Sequence, residues 1–165
     1  MRLLSSAAAV AALSLSVAVV PAPVAAQAPS PVTPQTVSDW LGERGGTPEL
    51  VTEGEEAFIR VRDGRLTWLL FFYGCEPAGC DSLQFGAGFT NEAVTLDAVN
   101  AWNRERRFLK AYFEAGDEGS AIVQYDVIPA EGAPLDQLSD HLDLWRETLN
   151  AFAVHVGYMS APSEE

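Results

Sequence analysis

Two cysteines, two histidines and one polar pair set into an apolar helical stripe are the side chains whose types and spacing could do chemistry here. Cys75 and Cys80 enclose Glu-Pro-Ala-Gly, a turn sequence between two apolar runs. In an oxidising compartment that pattern predicts a disulfide clipping the tip of a hairpin. The spacing is C-x4-C and not the C-x-x-C of thiol oxidoreductases, which argues against a redox centre. Zinc fits worse. His141 and His155 are the other soft ligands, and on one helix they would stand roughly 21 Å apart, too far to share a tetrahedron with the cysteines.

The polar pair lies in V-N-A-W-N-R-E-R-R-F, residues 99–108. Wound at about 100° per residue, this stretch places Asn103 and Arg106 within the stripe of Leu96, Val99 and Trp102, where a core-facing helix should be apolar. An amide there can satisfy backbone groups of a neighbouring strand where sheet pairing lapses. A guanidinium in the last turn can meet carbonyls or a carboxylate. Asp126, mid-strand on the face bearing Ile122, Gln124 and Ile128, is the partner expected for Arg106. The pair then seats the helix on the sheet. The competing reading is a small polar pocket formed by Trp102, Asn103, Arg106 and Asp126.

Catalytic signatures are otherwise absent from the sequence: no G-x-S-x-G, H-E-x-x-H, Walker loop, G-x-G-x-x-G or EF-hand pattern occurs. Glu53, Glu55 and Glu56 crowd the start of one strand, and Asp136, Asp140 and Asp143 dot the last helix, as solvated faces do. The expectation is a protein with no catalytic residues, no metal and no cofactor.

The elements that must position these residues form an alternating plan. Residues 36–45 read as a short amphipathic helix with Val37, Trp40 and Leu41 inward, ended by Gly45 and Gly46. Residues 57–62, 66–73 and 82–89 read as antiparallel strands joined by R-D-G-R and the cysteine loop, with a further short strand near 50–53. Thr95 caps a helix ending near Arg107. Residues 108–114 and 121–128 form a second hairpin. The final helix begins near Pro134 and carries Leu135, Leu138, Leu142, Trp145, Leu149, Phe152 and Val156 at alternating three- and four-residue spacing. That stripe fits a helix lying across a sheet, with a coiled-coil seam as the alternative. The fold class is α+β: an antiparallel sheet of about five to six strands with two or three helices mainly on one face.

Met1-Arg2, an uncharged apolar run over residues 3–20 and Val24 to Ala26 with small residues at both ends read as a secretory signal, cut after Ala26. An uncleaved anchor is the alternative. The expected organisation is a signal at 1–26, a Pro-rich disordered leader at 27–35, one domain at 36–158 and a loose tail at 159–165. With 23 acidic residues against 10 basic ones, nucleic acid and anionic membrane surfaces are poor partners. The mature protein should be periplasmic or secreted.

C-D-S-L-Q-F-G-A-G-F, V-N-A-W-N-R-E-R-R-F-L-K-A-Y-F, V-Q-Y-D-V and L-D-L-W-R-E-T-L-N-A-F-A-V-H-V occur in an order that resembles the YbjN family of bacterial sensory transduction regulators. The pattern at Asn100, Trp102, Asn103, Arg107 and Phe108 is the most specific part. The resemblance implies a fold like that of the type III secretion chaperones, with no established enzymatic activity and no catalytic residues to carry over. The signal segment and the cysteine loop depart from the better-known cytoplasmic members, and an exported chain does not reach the transcription machinery.

These readings converge on an exported, non-catalytic accessory factor that is protein-binding, chaperone-like or regulatory. A small-ligand sensor using the polar pocket is the alternative, and an unfamiliar hydrolase has no residue in its favour. The strand at 66–73 is apolar on both faces, while its neighbour offers only Ser82, Gln84, Gly86 and Gly88 on one side. Leu69, Phe71 and Tyr73 are therefore expected at an interface with a second copy or a protein partner, unless the N-terminal helix covers that face.

Overall fold

A computed structural model describes residues 31–54, 56–116 and 119–161. The signal expectation, on residues 1–26, lies outside them. The architecture is one six-stranded antiparallel sheet carrying three helices on a single face.

The first helix, α1 (Pro34–Glu43), starts two residues before the sequence reading placed it. Thr33 and Thr36 exchange side-chain and backbone hydrogen bonds in a capping box, and Pro34 opens the first turn. Val32 is buried, and its carbonyl accepts from the Cys80 N–H at 2.8 Å. Residues 31–35 therefore belong to the domain and not to a leader, because the same Thr and Pro residues that suggest an extended segment also make a helix start. At the other end Met159 packs against the core, so the domain extends into the expected tail.

Strands β1 (Thr47–Glu53), β2 (Glu56–Asp63), β3 (Leu66–Glu76) and β4 (Gly79–Thr90) form a meander. Helix α2 (Leu96–Glu105) then crosses over to β5 (Lys110–Glu114), and a hairpin returns β6 (Ser120–Val127) beside β4. The resulting order is β1-β2-β3-β4-β6-β5. After a short 3₁₀ turn at Leu135–Leu138, α3 (Ser139–His155) lies across the sheet.

Alternation on each strand divides the sheet into two unequal faces. One carries Ile59 and Val61, Trp68 and Leu70, Leu83, Phe85 and Phe89, and Val123 and Val127, all buried under the helices. Trp145 of α3 packs on Trp68 and Phe85 with ring centroids 6.0 and 5.5 Å apart, and Phe152 meets Phe89 and Trp102 at 5.5 and 5.1 Å. The heptad-like stripe of α3 is thus spent on the sheet, not on a coiled coil. Arg146 ties the layers together at one end: its Nε donates to Asp63 at 2.6 Å and its Nη2 to the Arg44 carbonyl at 3.0 Å.

Helix α1 packs on β1 and β2 from this same side, with Val37 and Leu41 fully buried in the common core. It does not cover the Phe71 face. Among the described residues no helix is long and apolar enough to cross a membrane.

Candidate binding face

Cross-strand register builds the uncovered face in rows. One row runs Val51, Phe58, Phe71, Gln84, Asp126; the next runs Glu49, Arg60, Leu69, Gly86, Gln124, Lys110 across all six strands. The glycines give the surface its shape. A Cβ on Gly86 would sit 3.4 Å from the Phe71 ring, and one on Gly88 would sit 3.3 Å from Ile122 Cδ1, so both large side chains lie close against bare backbone.

Phe71 and Leu69 remain half-buried, and Tyr73 is 48 % exposed. Phe71 meets Phe58 at 5.7 Å between ring centroids. These rings, with Tyr73, Pro34 and Glu56, line a cleft of about 440 Å³ where β2 and β3 reach the sheet end. Beside it runs a polar line: the Tyr73 hydroxyl donates to Gln84 Oε1 at 3.4 Å, and Gln84 Nε2 donates to Asp126 Oδ1 at 2.6 Å. Gln84 is the residue that sequence reasoning undervalued. Its alternation with Leu83 and Phe85 places it on this face, but nothing local in the sequence says that it bridges Tyr73 to Asp126.

Asp126 therefore does not meet Arg106. Tyr125 and Val127 point to the helices, so Asp126 points away from them; the parity assigned from sequence is right, but that face is not the one under α2. The polar pocket of Trp102, Asn103, Arg106 and Asp126 does not form. Helix α2 also ends at Glu105, before Arg107, and buries only Val99 and Trp102; Leu96, at 54 % exposed, lies outside the core with Asn103 and Arg106.

Asn103 has a different position of consequence. Its Nδ2 donates to the Ala111 carbonyl at 2.8 Å, and its Oδ1 accepts from the Ala111 N–H at 3.1 Å. Trp102 Nε1 donates to the Leu109 carbonyl at 3.3 Å. Because β5 is an edge strand bonded to β6 on its other side, these two side chains stand in for a missing seventh strand. Arg106 caps the helix through its backbone N–H, which donates to the Trp102 carbonyl at 2.9 Å, while its guanidinium lies 5.7 Å from the Trp102 ring centre and that of Arg107 lies 4.8 Å from the Phe108 ring centre.

Cys75 and Cys80 are bonded across directly opposed positions of β3 and β4. Gly74 beside them has φ 61°, and an added Cβ would collide with the Asp81 side chain, so the bend at the hairpin tip requires glycine. The histidines serve packing: His141 Nδ1 shares a 2.7 Å hydrogen bond with the Tyr125 hydroxyl, and His155 Nε2 lies 2.8 Å from the Ala98 carbonyl. Among the described residues no group of three or more His, Cys, Asp or Glu side chains could hold a metal ion.

Comparison with known proteins places this arrangement. No curated protein sequence matches the chain. The structure is similar to the crystal structure of YbjN from E. coli, described as "a putative transcription regulator", with a TM-score of 0.55 at 11 % identity, covering 75 % of this chain and 90 % of that one. At that identity the likeness is one of fold. Residues 33–157 match the family described as "Putative bacterial sensory transduction regulator", which spans the whole sheet and all three helices. This chain belongs to the YbjN family.

Proposed function

We propose that the protein is an exported, non-catalytic accessory factor that binds another polypeptide through the uncovered face of its sheet. The observation that carries this reading is the half-exposed apolar strip of Phe58, Leu69 and Phe71, flanked by Tyr73, on a sheet whose helices all lie on the other side. Apolar surface of this kind, rimmed by Glu49, Arg60, Gln84 and Asp126, suits a protein interface better than a small-molecule site, which is concave and buries most of its ligand. Regulatory roles in the family fit a binding module with no reaction of its own. Export is supported by the sequence of residues 1–26 and by a hairpin disulfide of the kind that persists in oxidising compartments. The simplest occupant is a second copy, as two such faces are self-complementary under two-fold symmetry.

A photo-crosslinking side chain placed at position 71 tests the reading in the native envelope fraction. It should yield discrete adducts, whereas one at Asp143, on the exposed side of α3, should yield none. Adducts at neither position, or equally at both, defeat it. Light scattering separates the occupants: a mass near twice that of the mature chain, lowered by Phe71→Glu, identifies a second copy, and a monomer that still crosslinks identifies a different partner.

A further inference from the structure

The densest positive charge of this acidic protein is at one corner. Arg104, Arg106, Arg107 and Lys110 fall within seven residues where α2 turns into β5, and Glu105 is the one acidic residue among them. All are exposed. The ion pairs formed among the described residues use Arg44, Arg60 and Arg146; none uses this cluster. The favourable placement of a cation at a helix C-terminus accounts for Arg104 in the last turn. It does not account for the rest.

Phe108 is the second observation. Its φ of 73° makes it the one non-glycine residue in the left-handed region among those described, and its ring is 58 % exposed. An aromatic residue held there is strained and buries little in return. Arg107 lies over that ring and Arg106 near the ring of Trp102, so both guanidiniums rest against aromatic rings with donors left for an anion. Trp102 and Asn103 pin the strand immediately beyond to the helix, which holds the corner rigid.

We infer that the corner of Arg104, Arg106, Arg107, Phe108 and Lys110 is a docking site for an acidic segment of a partner polypeptide, its carboxylates on the arginines and an apolar side chain against Phe108. Charge decides among the anionic occupants. The chain as a whole carries a net charge of −13. A membrane or a nucleic acid presents charge over a length that faces much more of the molecule than this corner. A short peptide meets only the corner, with most of the opposing field screened beyond a Debye length of about 8 Å. Lys110 stands at the end of the row that crosses the open face through Leu69, so a partner on that face can reach the corner. The inference does not depend on that face being occupied.

The test is fluorescence anisotropy of a labelled Asp/Glu-rich peptide containing one Phe, titrated with the mature protein. Binding should weaken with added salt. Arg106→Glu with Arg107→Glu should weaken it about tenfold or more, and Phe108→Ala several-fold. Arg62→Glu with Arg65→Glu, an identical change of charge at β2 and its turn, four strands away from β5 in the sheet, should cost less than about twofold by the same measure. Near-UV circular dichroism checks that each variant is folded, and Arg107→Gln gives a milder loss in the same direction should the double reversal unfold. No binding by the wild-type protein, equal losses at the two sites, or preference for phosphatidylglycerol vesicles or single-stranded DNA would overturn the proposal.

Discussion

The two faces of this sheet are made of similar material put to different use. Beneath the helices, Trp68, Phe85, Trp145 and Phe152 interlock and are essentially inaccessible. On the other side, Phe58, Leu69, Phe71 and Tyr73 sit in a single layer and stay partly exposed, with Phe71 close against the bare backbone of Gly86. The same strand, β3, supplies both sets by alternation. A large apolar side chain is thus not by itself a measure of stability; what counts is whether a second layer closes over it.

The sharpest way to break that contrast is to remove one ring from each side. Trp145→Ala should destabilise by about 4 kcal/mol, since it opens a cavity between Trp68, Phe85 and α3 that the sheet cannot collapse to fill. Phe71→Glu, measured on monomeric protein, should cost less than about 1 kcal/mol, because the carboxylate reaches water from an open face. Urea unfolding of the two variants decides the matter. Equal losses would mean that the Phe71 face is closed in the free molecule and that no binding surface exists there.

Much of this division was legible in the residues. Leu83, Phe85, Ala87 and Phe89 against Gln84, Gly86 and Gly88 is a period-two pattern that nothing else explains, and the stripe of Leu142, Trp145, Leu149 and Phe152 on α3 names the layer that covers it. Parity within each strand survives intact. What periodicity does not encode is which face of one strand joins which side of the next helix, so it does not reveal that Asp126 points away from α2. The α2 boundary failed through local chemistry. Leu109 and Ala111 take Trp102 and Asn103 as partners, and the chain must turn sharply at Phe108 to bring them there, so the helix stops at Glu105, short of the end near Arg107 that the sequence suggests. Residues 31–35 read as a leader because proline marks both loops and first helical turns, and here Pro34 opens α1.

The two edges of the sheet offer a finer comparison. The β5 edge is closed by Asn103 at Ala111 and by Trp102 at Leu109. On β1, the opposite edge, Pro48 lacks an N–H and Glu49 and Glu53 carry charge, which discourages pairing without covering the backbone. Asn103→Ala should therefore cost about 1 kcal/mol and not more, because water can replace the amide at an edge. Hydrogen exchange gives the local readout. The Ala111 amide should be protected in the wild-type protein and exchange freely in the variant, while β1 amides are unchanged. Protection of Ala111 that persists in Asn103→Ala would show that another group seals this edge.

The smallest expected effect concerns the phenol of Tyr125, on the covered face. Tyr125 lies on the helix side of β6, 6.0 Å from the Phe85 ring centre and hydrogen-bonded to His141, and desolvation raises its pKa from the usual 10.0. Burial disfavours the phenolate, so the folded chain holds this proton at a pH where the unfolded chain releases it. The resulting stabilisation is complete below pH 10.0 and is lost as the pH rises through the higher folded value. Tyr125→Phe removes both the phenol and its hydrogen bond to His141, which lowers stability at neutral pH but should leave a shallower decline above about pH 10 than in the parent. Urea unfolding at a series of alkaline pH values, with ultraviolet absorbance reporting the last tyrosine to ionise, measures both. If the decline is equally steep in the variant, or the late-titrating phenol persists without Tyr125, then the covered face is wet enough at this position to leave its titration unaltered.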